Sequence, residues 1–220
     1  MTNLFNDNFG STTPDNLFAG TTHPVDLKGV TLKMGQGILA RGTVLGQILL
    51  AAAAAVAGAN TGNGTVTGVA LGGGAKRGTY TVKCVTAAAN SGTFSVVGPD
   101  GERYADAAVG TAYNVGPINF TINDGATDFA VGDSFTIAVG AGSGQYVKVD
   151  SANTDGSGEA DCILSDAVDT TAAAVVSSAY TTGEFNRDTL IFGGTDTAAT
   201  HEATLRQKGI FLKDVQAYNV

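Results

Sequence analysis

Two histidines and two cysteines supply all the imidazole and thiol chemistry in this chain of 220 residues. His23 directly precedes Pro24, and His201 falls within TAATHEATLRQKG. A metal site or a nucleophilic triad needs convergent partners, and neither histidine has them nearby, so both read as solvated surface side chains. Cys84 and Cys162 sit in the apolar runs TYTVKCV and EADCIL, where buried free thiols are expected. Calcium is the stronger temptation. In SANTDGSGEADC, Gly156 at the obligatory sixth place of a calcium loop puts Asn153 and Asp155 at ligand places. The twelfth place is then Cys162 rather than a bidentate acid, so the segment reads as a turn. Asp124, Asp128 and Asp133 in NDGATDFAVGDSF would gather around a cation only if their loops met, and Asp-Gly and Gly-Asp pairs ordinarily mark turns. GQGILA, residues 35–40, spells G-x-G-x-x-A. That motif works by opening a helix onto pyrophosphate, whereas the following RGTV reads as a turn into a strand. No P-loop, CxxC pair or Ser-His-Asp spacing is present. The expectation is a protein that is not an enzyme and uses no cofactor and no metal.

Composition narrows the class further. With 43% hydrophobic residues the chain can bury a core, and 31 glycines with only 15% charged residues suggest short strands joined by many tight turns. A formal charge of −8 argues against nucleic acid, because phosphate backbones are held by clustered Lys and Arg. The run ILLAAAAAVAGAN, residues 48–60, is too short to cross a bilayer, which takes about 20 apolar residues as a helix. It lies far from the N-terminus, and the opening MTNLFNDNFGSTTPDNLF has no basic residue, so no secretory leader is expected. Neither membrane nor nucleic acid is an expected partner. The run reads as an Ala-rich seam, weakly structured or briefly helical.

Three regions follow. Residues 1–24 are polar and aperiodic and repeat NLF at 3–5 and 16–18; they are expected to form a flexible arm. Leu4, Phe5, Phe9, Leu17 and Phe18 are expected to be exposed on it, ready to order against a partner. Residues 25–52 and 143–220 form a discontinuous core. GVTLKM, RGTVLGQILL, QYVKVD, CILSDAVD and AAAVVSSAYTTGEF read as its strands. TAATHEATLRQKG reads as its helix, capped by Thr197 or Thr200 and closed by Gly209. Residues 53–142 form an inserted β domain, a sandwich or small barrel. TVTGVAL, GTYTVKCV, GTFSVV, INFTI and DSFTIAV alternate apolar with polar residues in this block, and GAGSG closes it. The fold class is thus mainly β, a β-rich α+β chain with one helix near the C-terminus.

Read without residues 53–142, the order TLKMGQGILARGTVLGQ, GQYVKVD, DGSGEADCILSD, GEFN and LRQKGIFLK resembles the head decoration proteins of lambda-type bacteriophages. The resemblance covers most of residues 25–50 and 143–220. It implies a homotrimer that binds the major capsid protein at three-fold and quasi-three-fold sites on the outer surface of the expanded shell. It also implies a protein made in the bacterial host cytoplasm and carried on the virion. The middle block looks like a β module inserted into phage structural proteins. The rival reading is a host-surface or glycan-binding adhesin acting through that insert, whose aromatics read mainly as core.

Overall fold

Alternating burial along the strands divides the computed structural model, which describes residues 16–215, into two sets of sheets. Before the middle block come β1 (Phe18–Gly20), β2 (Asp26–Leu32), β3 (Ile38–Leu39) and β4 (Val44–Gln47). The block itself holds β5 (Leu50–Ala52), β6 (Val56–Ala57), β7 (Thr65–Leu71), β8 (Gly78–Ala88) and β9 (Ser91–Val97). It continues with β10 (Arg103–Ala108), β11 (Ala112–Tyr113), β12 (Ile118–Asn123) and β13 (Ser134–Ala141). After it come β14 (Tyr146–Lys148), β15 (Ala160–Leu164), β16 (Val168–Asp169) and β17 (Val175–Asn186). A 3-10 turn at Arg187–Thr189, helix α1 (Ala198–Gln207) and β18 (Ile210–Lys213) complete the chain.

The strands β17, β15, β4, β14 and β2 pair in that order, and β2 pairs back with β17. The result is a closed barrel, which leaves no free edge among its members. Its interior holds Val30, Leu32, Leu45, Tyr146, Cys162, Leu164 and Ala179. The opposite faces of β4 and β15 present Val44 and Ile163 to a second cluster, where Leu205 of α1 and Ile210 and Leu212 of β18 cover them. Burial on both faces explains why ADCIL and VLGQ lack clean alternation. The first half of β17 closes the barrel against β2, and its last four residues pair with β18 in parallel and with β1 antiparallel.

Helix α1 starts where the sequence places it, at Thr197, whose N–H donates to the Thr200 hydroxyl at 3.2 Å. It ends before Gly209, whose φ of +85° suits a residue without Cβ. His201 corrects the expectation of a solvated histidine: it is 3% exposed, its ring stacks on Phe192, and its Nε2 lies 2.8 Å from Asp196. A buried imidazole is tolerated because it is hydrogen-bonded.

The middle block is a sandwich of two sheets, β10-β9-β8-β13 with β5 and β6 on the β13 edge, and β11-β12-β7. Tyr80, Phe94, Phe135 and Ile137 from one sheet meet Tyr113, Ile118, Phe120 and Ile122 from the other. The block springs from the turn between β4 and β14, which are themselves antiparallel neighbours with Gln47 opposite Tyr146. The Ala-rich run is neither helical nor loose. Leu50, Ala51 and Ala52 face Ala141, Gly140 and Val139, and Val56 and Ala57 face Thr136 and Phe135. The free edge of β13 offers backbone donors and acceptors that must be paired, and this outweighs the helical preference of a short alanine run.

Candidate functional site

The arm root, residues 16–25, is built onto the far end of β17. Leu4, Phe5 and Phe9 lie outside the described residues, whereas Leu17 and Phe18 correct the expectation of exposure. Leu17 is 4% exposed and belongs to the cluster of Val44, Phe185 and Leu190. Its carbonyl accepts from the Asn186 N–H at 2.8 Å. The Phe18 ring meets Tyr180 edge-on and Phe185 at a tilt, each at 5.2 Å between centroids, and the Arg41 guanidinium sits 5.7 Å from its centre. Periodicity could not reveal this, because a three-residue edge strand shows no period; only the repeated NLF marked the spot.

Glu184 fastens the arm root. It lies on β17 and is 1% exposed, yet both carboxylate oxygens are engaged. Oε1 accepts from Lys213 Nζ at 2.6 Å and lies 2.9 Å from His23 Nδ1, while Oε2 accepts the Thr22 N–H at 3.3 Å. The hydrogen bonds from Lys213 and His23 hold this carboxyl down at about 2, against the ordinary 4.5. A Cβ at Gly20 would stand 2.0 Å from Oε2, so a side chain there would have to displace the Glu184 carboxylate. The His23 ring also meets Phe211 at a tilt, 4.2 Å between centroids. Beside this latch Phe18, His23, Pro24 and Val25 line an open, largely apolar cavity of about 360 Å³. Val25 and Leu27 remain 44% and 52% exposed next to it.

The other candidate residues serve the fold. Ser151, Asp196 and His201 hold triad residue types in the wrong order. Ser151 Oγ donates to one oxygen of Asp196 at 2.5 Å and His201 bonds the other, so the carboxylate stands between serine and imidazole. An imidazole in that position cannot take the serine proton. Asp133 accepts N–H groups from Thr61, Gly62 and Ala130 at 2.8–3.0 Å, which ties the 61–62 and 130–133 loop segments together. Asp128 accepts the Asn90 N–H, and one oxygen of Asp124 is buried without a partner. Among the described residues no three His, Cys, Asp or Glu side chains converge as metal ligands would. Cys84 and Cys162 are buried in separate clusters, and burial pushes the Cys162 thiol up to about 12. GQGILA is a turn with Gly35 and Gly37 at positive φ. The Asp155 carbonyl accepts the N–H groups of Leu49 and Leu50, so SANTDGSGEADC clamps the seam to the barrel.

Comparison with known families decides what such a barrel is. The family model described as bacteriophage lambda head decoration protein D matches residues 8–210, across both the barrel and the sandwich. The chain belongs to that family. A decoration protein is a structural component of the phage capsid, placed on the outer surface of the virion. No curated protein matches the chain. Among solved structures, two crystal forms of Xanthomonas campestris FlgL align at TM-scores of 0.31 and 0.30, with 22% and 21% identity. They cover 46% and 50% of this decoration protein and 33% and 31% of FlgL, so the chain spans about a third of those structures. A likeness this slight carries no argument. No helix among the described residues of the decoration protein is long and apolar enough to cross a membrane.

Proposed function

We propose that this decoration protein binds the expanded capsid as a homotrimer at three-fold and quasi-three-fold sites, contacts the major capsid protein and stabilises the shell. The observation that supports this reading is the arm root. A buried carboxylate holds Thr22 and His23 of the arm root, and exposed Val25 lines an apolar cavity there. A segment carrying Leu4, Phe5 and Phe9 that starts from a rigid anchor loses less freedom on docking than one that starts from a loose end. Strand addition to a shell protein's edge would supply main-chain hydrogen bonds, and three copies per site would supply avidity. Deleting residues 2–15 should leave a trimer, read by light scattering as roughly three chains per particle. The same deletion should sharply weaken co-sedimentation with expanded, undecorated shells. Equal decoration by the truncated chain would assign the contact to the barrel alone.

We also infer that the sandwich and the barrel fold separately. The ends of the insert already meet, with the Gly142 N–H donating to the Leu49 carbonyl at 2.8 Å and the Gly144 N–H to the Ile48 carbonyl at 3.0 Å. Because β5 joins the insert's sheet, the cut belongs before Leu50. Replacing residues 50–142 with a short Gly-Ser linker should leave a soluble barrel, and residues 50–142 alone should unfold cooperatively in urea. A non-cooperative transition in either piece would show that the two need each other.

A further inference from the structure

The insert has a surface cleft away from the arm root. It opens where three loops of the sandwich meet: β7–β8, β9–β10 and β11–β12. Its volume is about 490 Å³, and Tyr104, Glu102, Lys76, Asn114 and Val115 supply its walls. Tyr104 is the platform. One side of its ring backs onto Gly98, where a Cβ would stand 3.0 Å away, and its hydroxyl is fixed 3.0 Å from Glu102. Lys76 bonds Asp100 at 2.5 Å and lies 3.5 Å from Glu102, so its charge is already matched and the cleft holds no free cation for an anionic ligand. Asn114 is exposed, and Val115 is 74% exposed although it is aliphatic.

One further feature lies beneath the cleft. The Tyr113 hydroxyl is buried without a hydrogen-bond partner, in a residue only 4% exposed. It lies against Gly116, which lines the cleft, and a Cβ there would stand 2.6 Å from it. A buried hydroxyl without a partner carries a desolvation cost.

We propose that this cleft binds a neutral saccharide. A sugar ring offers a C–H face that lies on an aromatic side chain and a rim of hydroxyls that both donate and accept. Glu102 accepts and the Asn114 amide does both. Glu102 and Asp100 disfavour acidic sugars, and the paired Lys76 disfavours phosphates. The site is independent of capsid attachment, so a chain that decorates shells and ignores sugars overturns this proposal alone.

The test is calorimetry on the full chain with neutral oligosaccharides of glucose, galactose, mannose and N-acetylglucosamine, and with sialylated ones as the charged arm. At least one neutral probe should bind, and Tyr104→Ala should weaken it about tenfold or more, with Tyr104→Phe retaining most of the affinity. Asn114→Ala changes an exposed side chain, so it keeps the test open should Tyr104→Ala unfold, and it should weaken binding several-fold. Val131→Ala, outside the cleft, should change nothing. Absence of binding to every neutral probe at about 10 mM, preference for the sialylated probes, or binding that neither cleft variant alters would each overturn the proposal.

Discussion

Leu17→Ala should destabilise the free protein by about 2–5 kcal/mol, the usual range for emptying a buried leucine site. The side chain is 4% exposed, and it packs in the cluster that joins β4, β17, α1 and β18. A Cβ at Gly42 would stand 3.1 Å from one of its methyls, so the walls close tightly around it. Had Leu17 been an exposed arm residue, the same change would stay within about 0.5 kcal/mol. Urea unfolding followed by far-UV circular dichroism distinguishes the two, through a lower midpoint at unchanged slope. A shift below about 0.5 kcal/mol would return Leu17 to the arm. The result also governs how the N-terminus is cut. Removing residues 2–20 strips out β1, Leu17 and Phe18 and so mixes lost stability with lost capsid contact. Cutting after residue 15 keeps them and isolates Leu4, Phe5 and Phe9.

What the sequence showed, and what it hid, follows from how each element is stabilised. β9, β12 and β13 bury alternate residues, and their apolar-polar alternation is legible because each presents one face to a core and one to water. α1 is legible from its ends, Thr197 and Gly209, more than from its face. The discontinuous core was legible from the order of short motifs rather than from any single one, and its closure into a barrel was not, since β4 and β15 are buried on both faces and β14 has only three residues. The Ala-rich run misled because alanine fits helix and edge strand alike, and only the exposed edge of β13 decides. His201 misled because its partners, Phe192 and Asp196, come from the preceding loop and not from its own helix. Glu184 read as one polar residue in a strand run, and its role depends on Lys213 and on Thr22 and His23, the last two more than 160 positions away in sequence. The arm root was therefore the least legible part of the candidate site. Its geometry is tertiary throughout.

Acid should loosen this arm root as pH falls below about 5, and the carboxylates specify the window. Glu184 has a folded value of about 2 against 4.5, set by Lys213 and His23. Asp161 is also lowered from 3.8: burial works against its charge, but Lys208 and Lys28 outweigh it. Asp133 is lowered too, burial again opposing and the N–H groups of Ala130, Thr61 and Gly62 prevailing. Each group is more acidic folded than unfolded, so between the two values the unfolded chain binds more protons and stability rises with pH. Their contribution is fully present above about pH 5 and is lost as pH falls toward 2. Thermal unfolding should therefore give a midpoint that holds down to about pH 5 and then declines. Glu184→Gln keeps the shape but removes the charge that Lys213 and His23 face. It should be less stable than the parent at pH 7, lose less on acidification, and meet the parent curve near pH 2. Because Thr22 and His23 hang on the same carboxylate, the variant should also expose the backbone of residues 20–23 to faster hydrogen exchange at neutral pH, while β8 and β13 in the sandwich stay protected. Parallel acid curves for the two proteins, or unchanged exchange at Thr22, would mean that Phe18 and Leu17 hold the arm root without Glu184.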